Sequence, residues 1–168
     1  MRIKPELSLR SRALQYLARR EYSRAELAAK LHPYVQMEDD FEQAVASSGP
    51  ANLDALLDDL EASGYLSDER ASTQLLHARR PRFGTQRITH EMRQKGISEE
   101  LIENALPELK DTELETARAV WQRKFGTRQL DTHDAKERAR QMRFLQSRGF
   151  SMDVIFKVLK YAESEEDQ

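Results

Sequence analysis

The sequence has 168 residues, of which 39% are apolar and 33% are charged, and its net charge is -2. Because it contains no cysteine, the chain can form neither a disulfide nor a thiolate metal site, and the cytoplasm is its simplest location. No apolar run approaches the ~20 residues of a membrane-spanning helix, and the N-terminus lacks the apolar core of a signal peptide.

The spacing of apolar residues predicts an all-α chain, because helical periodicity recurs and no segment alternates like a strand. The first two helices span 9–20 and 23–31, and His32-Pro33 ends the second. Residues 34–51 form an acidic loop or linker. Seven further helices follow: one capped by Asn52, two between Ser67 and Gly96 with a turn at Pro81 and Gly84, one at 98–106 ended by Pro107, and three at 111–125, 131–148 and 151–161. Trp121 is predicted to be a core residue of the seventh helix.

One corner between helices recurs along the chain. In Lys95-Gly96-Ile97-Ser98 the glycine ends a helix, and the serine caps the next one after an apolar residue that can pack on its first turns. The same order appears at 148–151, and at 20–23 with glutamate in place of glycine. This repetition predicts three three-helix repeats at 1–63, 64–107 and 108–162, in an elongated, curved array with a disordered acidic tail at 163–168.

The sequence offers no catalytic or cofactor site. The four histidines lack ligand spacing, and the six glycines form no nucleotide-binding loop. Carboxylates stand in the first turns of helices, where they complement the helix dipole, and no pair of nucleophile and base is evident. We therefore expect no enzyme activity, no metal and no cofactor.

Charged residues alternate in sign in blocks of helix size. Lysine and arginine dominate 70–95 and 117–148, whereas aspartate and glutamate dominate 38–69 and 96–116. Such blocks either neutralise their neighbours or form separate basic and acidic surfaces.

Two helices carry candidate basic faces. In the fifth, Ile88 and Met92 face the core and the cations lie opposite, after an arginine-rich turn. In the eighth, the predicted inner face is Ala135, Ala139, Met142 and Leu145, and the outer stripe is basic. These faces suit DNA phosphates or an acidic protein, although an ordinary solvated helix surface shows the same pattern. The candidate contact residues are Arg79, Arg80, Arg82, Arg87, Arg93, Lys136, Arg140 and Arg143.

The order and spacing of several short motifs resemble the RecX family of bacterial regulators of the recombinase RecA. They are Gly64-Tyr65-Leu66 with Asp68 and Arg70, then Gly84, Arg87-Ile88 and Lys95-Gly96-Ile97. The resemblance extends from Ala13 to Leu159. The chain departs from the family pattern at Ala71, where an aromatic residue is usual, and in the acidic segment 37–50.

The resemblance implies three tandem three-helix repeats and a cytoplasmic, non-enzymatic protein. It also implies binding to the RecA filament on single-stranded DNA, with suppression of ATP hydrolysis, strand exchange and the SOS co-protease activity. The contact residues named above would then face either RecA carboxylates or DNA phosphates, and a monomer is expected. Two alternatives stay open: a sequence-tolerant DNA-binding protein that acts without RecA, and an adaptor whose acidic surfaces recruit a basic partner.

Overall fold

The chain folds into helices, as a computed structural model shows for residues 7–41, 50–126 and 135–166. No strand occurs in these ranges, so the predicted all-α class is confirmed. No helix within them is long and apolar enough to cross a membrane. The helices are α1 Leu9–Leu17, α2 Arg24–Phe41, α3 Pro50–Ala62, α4 Asp68–Arg79, α5 Thr85–Gln94, α6 Glu99–Phe125, α7 Ala135–Ser147 and α8 Met152–Glu166.

The first of two compact units comprises residues 1–74 together with 95–97. Within it, α1 and α3 both pack on α2. Their apolar faces share one core, and burying each large aliphatic side chain contributes about 1.5–3 kcal/mol. This core contains Leu9, Ala13, Tyr22, Leu27, Leu31, Val35, Leu53, Leu57, Leu60 and Leu66.

The second unit comprises residues 75–94 and 98–168. Here α6 contacts α5, α7 and α8, and α7 also packs on α8. Trp121 is buried, as predicted, and its indole N–H donates to Gln141 Oε1 at 2.8 Å. The core around it contains Ala117, Val120, Phe125, Leu145, Phe150, Ile155, Val158, Leu159 and Ala162.

The recurring corners have the predicted geometry. At two of them, Gly96 and Gly149 adopt φ angles of 70° and 80°, the left-handed conformation that ends helices. Gly64, which follows α3, adopts the same conformation with φ of 74°. At the next helix start, Ser98 Oγ accepts the N–H of Leu101. Ser23 and Glu26 form a reciprocal capping box, because each side chain accepts the backbone N–H of the other residue.

Two prolines predicted to end helices lie inside them instead. α2 continues through Pro33 to Phe41, and α6 continues through Pro107 to Phe125. A proline within a helix costs about 3 kcal/mol, but apolar positions on both sides are buried: Leu31 and Val35 in α2, Ile102 and Leu109 in α6. Packing therefore holds each helix together. Because α6 joins two of the predicted helices into one, the described residues contain eight helices where nine were predicted.

Other element limits also differ from the prediction. α3 begins at Pro50 rather than after Asn52, which agrees with the preference of proline for the first helical position. α8 extends to Glu166, four residues into the predicted disordered tail. Residues 42–49 of the predicted acidic loop and the predicted start of the eighth helix at 131 lie outside the described residues. The boundaries of the three repeats stay a prediction.

The predicted inner face of α7 is correct only in its second half. Leu145 is buried and Met142 packs against the core, as predicted, but Ala135 and Ala139 are exposed and Gln141 is buried instead. Gln141 is buried at little cost because it accepts the hydrogen bond of Trp121. A buried glutamine with a single dedicated partner is not visible in an apolar periodicity.

Candidate basic interface

The start of α5 contacts the corner between α7 and α8 through two glycines. The N–H of Gly84 donates to the carbonyl of Arg148 at 2.9 Å, and that of Gln86 donates to the carbonyl of Gly149 at 3.2 Å. A Cβ on Gly84 would lie 2.3 Å from the Gly149 oxygen. Only glycine therefore permits this approach, which brings the Arg82-Phe83 turn beside Arg148.

A basic cavity lies next to this contact. It is open, has a volume of about 420 Å³, and is bounded by cationic side chains from the turn before α5, the end of α6 and the end of α7. We call it the basic cavity. Its lining residues are Arg82, Val120, Arg123, Lys124, Phe144 and Arg148.

Aromatic rings orient the cations around this cavity. The Arg148 guanidinium lies 5.2 Å from the centroids of both Phe83 and Phe144. Lys124 Nζ lies 4.2 Å from the Phe144 centroid, and the Arg87 guanidinium lies 4.7 Å from that of Phe83. Cation–π contacts of this kind stabilise a position by about 0.5–1 kcal/mol at exposed sites. They hold the cations in place without neutralising their charge.

Four of the eight predicted contact residues form ion pairs within the second unit, and three of these pairs are short. Arg79 binds Glu91 with two hydrogen bonds of 2.8 and 2.9 Å, and Arg93 binds Glu99 with two of 2.6 and 3.0 Å. Arg80 binds Glu108 and also donates to Thr112. The hydrogen bonds that Arg79 donates to Glu91 raise the pKa of Arg79, and those that Arg93 donates to Glu99 lower the pKa of Glu99. These arginines have satisfied much of their binding capacity internally.

The other predicted residues are distributed differently. Arg82 lines the basic cavity, and Arg87 stacks on Phe83 and donates to the Ser147 carbonyl at 3.0 Å. On α7, Lys136, Arg140 and Arg143 are exposed. Arg140 forms only a long contact of 3.4 Å with Glu137. Of the eight predicted contact residues, only Arg82 lines the cavity, whereas Arg87 lies beside it on the ring of Phe83.

The sequence interpretation considered Arg123 and Lys124 only as an extension of the basic stripe on the eighth helix, and it did not consider Arg148 as a contact residue. Two short strings carried a signal: Arg82-Phe83-Gly84 and Arg123-Lys124-Phe125-Gly126, each with cations beside an aromatic residue at a helix end. Their meeting at one cavity depends on the contact between Gly84 and Gly149, which sequence spacing does not reveal. No group of potential ligands that could hold a metal ion occurs among the described residues.

Comparisons with known proteins identify the family. Residues 67–106 match the model of the second three-helix domain of RecX, and residues 111–159 match that of the third. The chain belongs to the RecX family of regulatory proteins. It is 47% identical over 164 residues to the regulatory protein RecX of Leptothrix cholodnii, with 98% of this chain and 95% of that protein covered. The RecX of Herbaspirillum seropedicae is 44% identical, with 98% and 97% covered.

A solved structure of another RecX has the same fold. The crystal structure of RecX from Lactobacillus salivarius aligns with a TM-score of 0.69 at 14% identity, over 92% of this chain and 94% of that one. In this RecX-family protein, the cavity combines Arg82 of the second matched domain with Arg123, Lys124 and Arg148 of the third. The boundary between the two matched domains falls within α6.

Proposed function

We propose that this protein binds the RecA filament on single-stranded DNA and inhibits it. The relatives that it matches are named regulatory proteins, and the family resemblance supplies RecA as the regulated partner. The observation that carries the proposal is the basic cavity, whose cations pair with no carboxylate among the residues that the structure describes. RecA on single-stranded DNA is a polyanion, so a basic surface on a regulator has a matching target.

The contact surface that we propose consists of exposed cations of the second unit. At the basic cavity these are Arg82, Arg123 and Lys124, and beside it on α5 and α7 they are Arg87, Lys136, Arg140 and Arg143. Arg79, Arg80 and Arg93 contribute less, because a cation that leaves an internal carboxylate must give up that ion pair before it binds a new partner. An exposed pair such as that of Arg140 is worth only about 0–1 kcal/mol and opens easily.

Binding of this kind restrains RecA without any chemistry by the regulator. Several modest contacts add up along a repeated partner, and their sum falls as salt screens them. A protein held across RecA subunits opposes the rearrangements that ATP hydrolysis and strand exchange require. We propose that it suppresses both, and with them the SOS co-protease activity. This role places the protein in the cytoplasm, where RecA meets DNA.

The experiment is RecA's single-stranded-DNA-dependent ATP hydrolysis during titration with this protein. We compare the wild type with two variants, Arg82→Glu/Arg123→Glu at the basic cavity and Arg140→Glu/Arg143→Glu on α7. A matched control, Lys157→Glu/Lys160→Glu, makes the same charge change on α8. Wild type and control should suppress hydrolysis at less than one protein per RecA subunit, and each of the two variants should need on the order of 10-fold more protein. Circular dichroism checks that all four proteins are helical.

A second candidate function is favoured by the cavity itself, since a cluster of cations can bind DNA without RecA. If the wild type leaves hydrolysis unchanged yet binds naked DNA tightly with a steep salt dependence, RecA regulation is wrong for this protein. The DNA-binding alternative then replaces it.

A further inference from the structure

A second pocket lies between α6 and α8, apart from the basic cavity. It is open and has a volume of about 320 Å³. Its lining combines an apolar floor with polar groups at the rim: Arg118, Ala119, Trp121, Gln122, Val158 and Tyr161. Tryptophan, tyrosine and arginine are the residue types that contribute most to binding between proteins. The composition of the lining therefore favours a protein partner.

The pocket and the basic cavity lie on opposite sides of α6. Residues two positions apart on a helix point about 200° away from each other. Arg118 and Gln122 line the pocket, whereas Val120 and Lys124 line the basic cavity. A partner that covers the cavity side of α6 therefore leaves the pocket accessible.

The floor of the pocket is apolar. Val158 and Trp121 line it and are 1% and 9% exposed. The indole N–H of Trp121 already donates to Gln141 Oε1 at 2.8 Å, so Trp121 offers the pocket ring carbons rather than a hydrogen bond. A polar group on this floor would lose its water without gaining a partner, whereas a large apolar side chain is stabilised by burial there.

The rim of the pocket carries a positive charge. Arg118 is exposed, and its guanidinium lies 4.6 Å from the centroid of the Tyr161 ring. Among the side chains that the structure describes, no carboxylate pairs with Arg118. A guanidinium stacked on a ring keeps N–H groups at its edge for a hydrogen bond. Gln122, one turn further along α6, adds an amide donor.

These features match a protein segment in which a large apolar side chain stands next to an aspartate or glutamate. The apolar side chain covers the floor, and the carboxylate accepts hydrogen bonds from the guanidinium and the amide at the rim. A nucleic-acid base matches the pocket less well, because Arg118 covers the Tyr161 ring and Trp121 is too buried to stack on a base.

We infer that the pocket between α6 and α8 is a second docking site, which binds an acidic protein segment through one large apolar side chain and acts independently of the basic cavity. A protein held on a filament by its basic surface can then recruit a second protein on the other side of α6. The docking site itself does not depend on RecA.

The test is a selection of phage-displayed random peptides on the whole chain, repeated with two pocket variants. Arg118→Glu reverses the charge at the rim, and Ala119→Arg places a long side chain across the opening. Both positions are exposed, so these changes leave the core intact, and circular dichroism checks it. The matched control is Lys110→Glu, which reverses an exposed charge of α6 that does not line the pocket.

Peptides enriched on the wild type should share a large apolar residue beside an aspartate or glutamate. Each pocket variant should bind them on the order of 10-fold more weakly, through charge repulsion in Arg118→Glu and through loss of space in Ala119→Arg. The Lys110→Glu control should stay within about 2-fold of the wild type. Alanine in place of the apolar residue of the peptide should weaken binding about 10-fold or more.

Trp121 reports binding at the pocket directly, because it is the only tryptophan in the sequence. Its indole N–H gives one resonance in a heteronuclear NMR spectrum. The selected peptides should shift this resonance in the wild type and in the control. Peptides that bind without shifting it, or that bind the pocket variants as tightly as the wild type, would overturn the inference.

Other occupants of the pocket give different results. Enrichment of basic peptides, or displacement of the selected peptides by an oligothymidylate, would exclude an acidic protein segment. A wild-type dimer that Arg118→Glu dissociates in analytical ultracentrifugation would assign the pocket to a second copy of the chain and would also overturn the inference.

RecA's ATP hydrolysis tests whether the two sites are independent. Arg118→Glu should inhibit hydrolysis as the wild type does, because Arg118 lies on the side of α6 opposite to the basic cavity. Weaker inhibition by this variant would make the pocket part of the RecA contact surface and would overturn its independence. The peptide measurements do not involve RecA, so failure of the docking site and failure of the proposed regulation are distinguishable.

Discussion

The buried carboxylate of Glu113 on α6 accepts the backbone N–H of Thr85, the first residue of α5, at 3.0 Å. In the other unit, the carboxylate of Asp68 on α4 accepts the N–H of Arg24, the first residue of α2, at 2.7 Å. In both cases a carboxylate from a later helix satisfies a donor that a helix start leaves unpaired, and its charge complements the positive end of the helix dipole. The same kind of contact therefore occurs once in each of the two units.

Removal of Glu113 should destabilise the protein. Glu113→Ala leaves the Thr85 N–H buried without a partner, and a hydrogen bond to a charged group is worth about 1.5–3 kcal/mol. Glu115→Ala, an exposed carboxylate of the same helix, should change the free energy of unfolding by about 0.5 kcal/mol or less. Urea unfolding measures both. Equal losses in the two variants would show that Glu113 does not cap α5 in solution.

Two glycines with the same backbone conformation should tolerate alanine very differently. Gly64 and Gly149 have φ of 74° and 80°, but a Cβ on Gly64 meets nothing within 4 Å, whereas one on Gly149 lies 2.4 Å from Arg87 Cβ. Gly64→Ala should cost about 1–2 kcal/mol from backbone strain alone. Gly149→Ala should cost about 2–5 kcal/mol, because overpacking is added. Denaturant midpoints of the two variants give the comparison, and similar midpoints would argue against the close approach of α5.

Arg80 and Arg82, which stand on either side of Pro81, should differ in their effect on RecA. Arg80 binds Glu108, whereas Arg82 lines the basic cavity. Arg82→Gln removes one phosphate contact, and each such contact contributes about 0.7 to the slope of log K against log salt for single strands. At about 0.1 M salt, the variant should therefore act roughly 5-fold more weakly. Arg80→Gln removes the same charge and should act nearly as the wild type does. The measurement is the protein concentration that halves RecA's ATP hydrolysis, and equal shifts for both variants would contradict the distinction.

The contribution of Glu26 to the stability of the first unit should be lost in acid. Burial raises the pKa of Glu26, but hydrogen bonds from Arg20 and Lys95 outweigh it, so the net pKa lies below its ordinary value of 4.5. A carboxyl whose folded pKa is depressed stabilises the fold above the unfolded pKa, and this contribution is lost as pH falls through the folded pKa. The free energy of unfolding should therefore decrease below about pH 4.5, and Glu26→Gln should reduce that slope. Urea titrations at several pH values test it, and parallel profiles would exclude Glu26 as a source.

The starts and corners of helices could be predicted from the sequence because their signals are local. Ser23, Ser67 and Ser98 each cap the helix that follows through a side-chain contact three residues away. Gly96 and Gly149 adopt the conformation that their positions require. The helix ends at Pro33 and Pro107 were predicted wrongly. The prediction considered only the local cost of a proline within a helix, and the packing of apolar residues further along the same helix outweighs that cost.

What the sequence by itself determined is the all-α class, the order of the corners and the family, since each depends on residue types at short spacings. Only the tertiary structure decided which arginines are neutralised and which remain available. Arg79 and Arg82 look alike in the sequence, yet Arg79 meets Glu91 on the next helix, while Arg82 meets Arg123 and Lys124 from much further along the chain. The physical reason is that the neighbours of a cation in space decide whether its charge is neutralised. For Arg82, the close approach of Gly84 to Gly149 sets those neighbours.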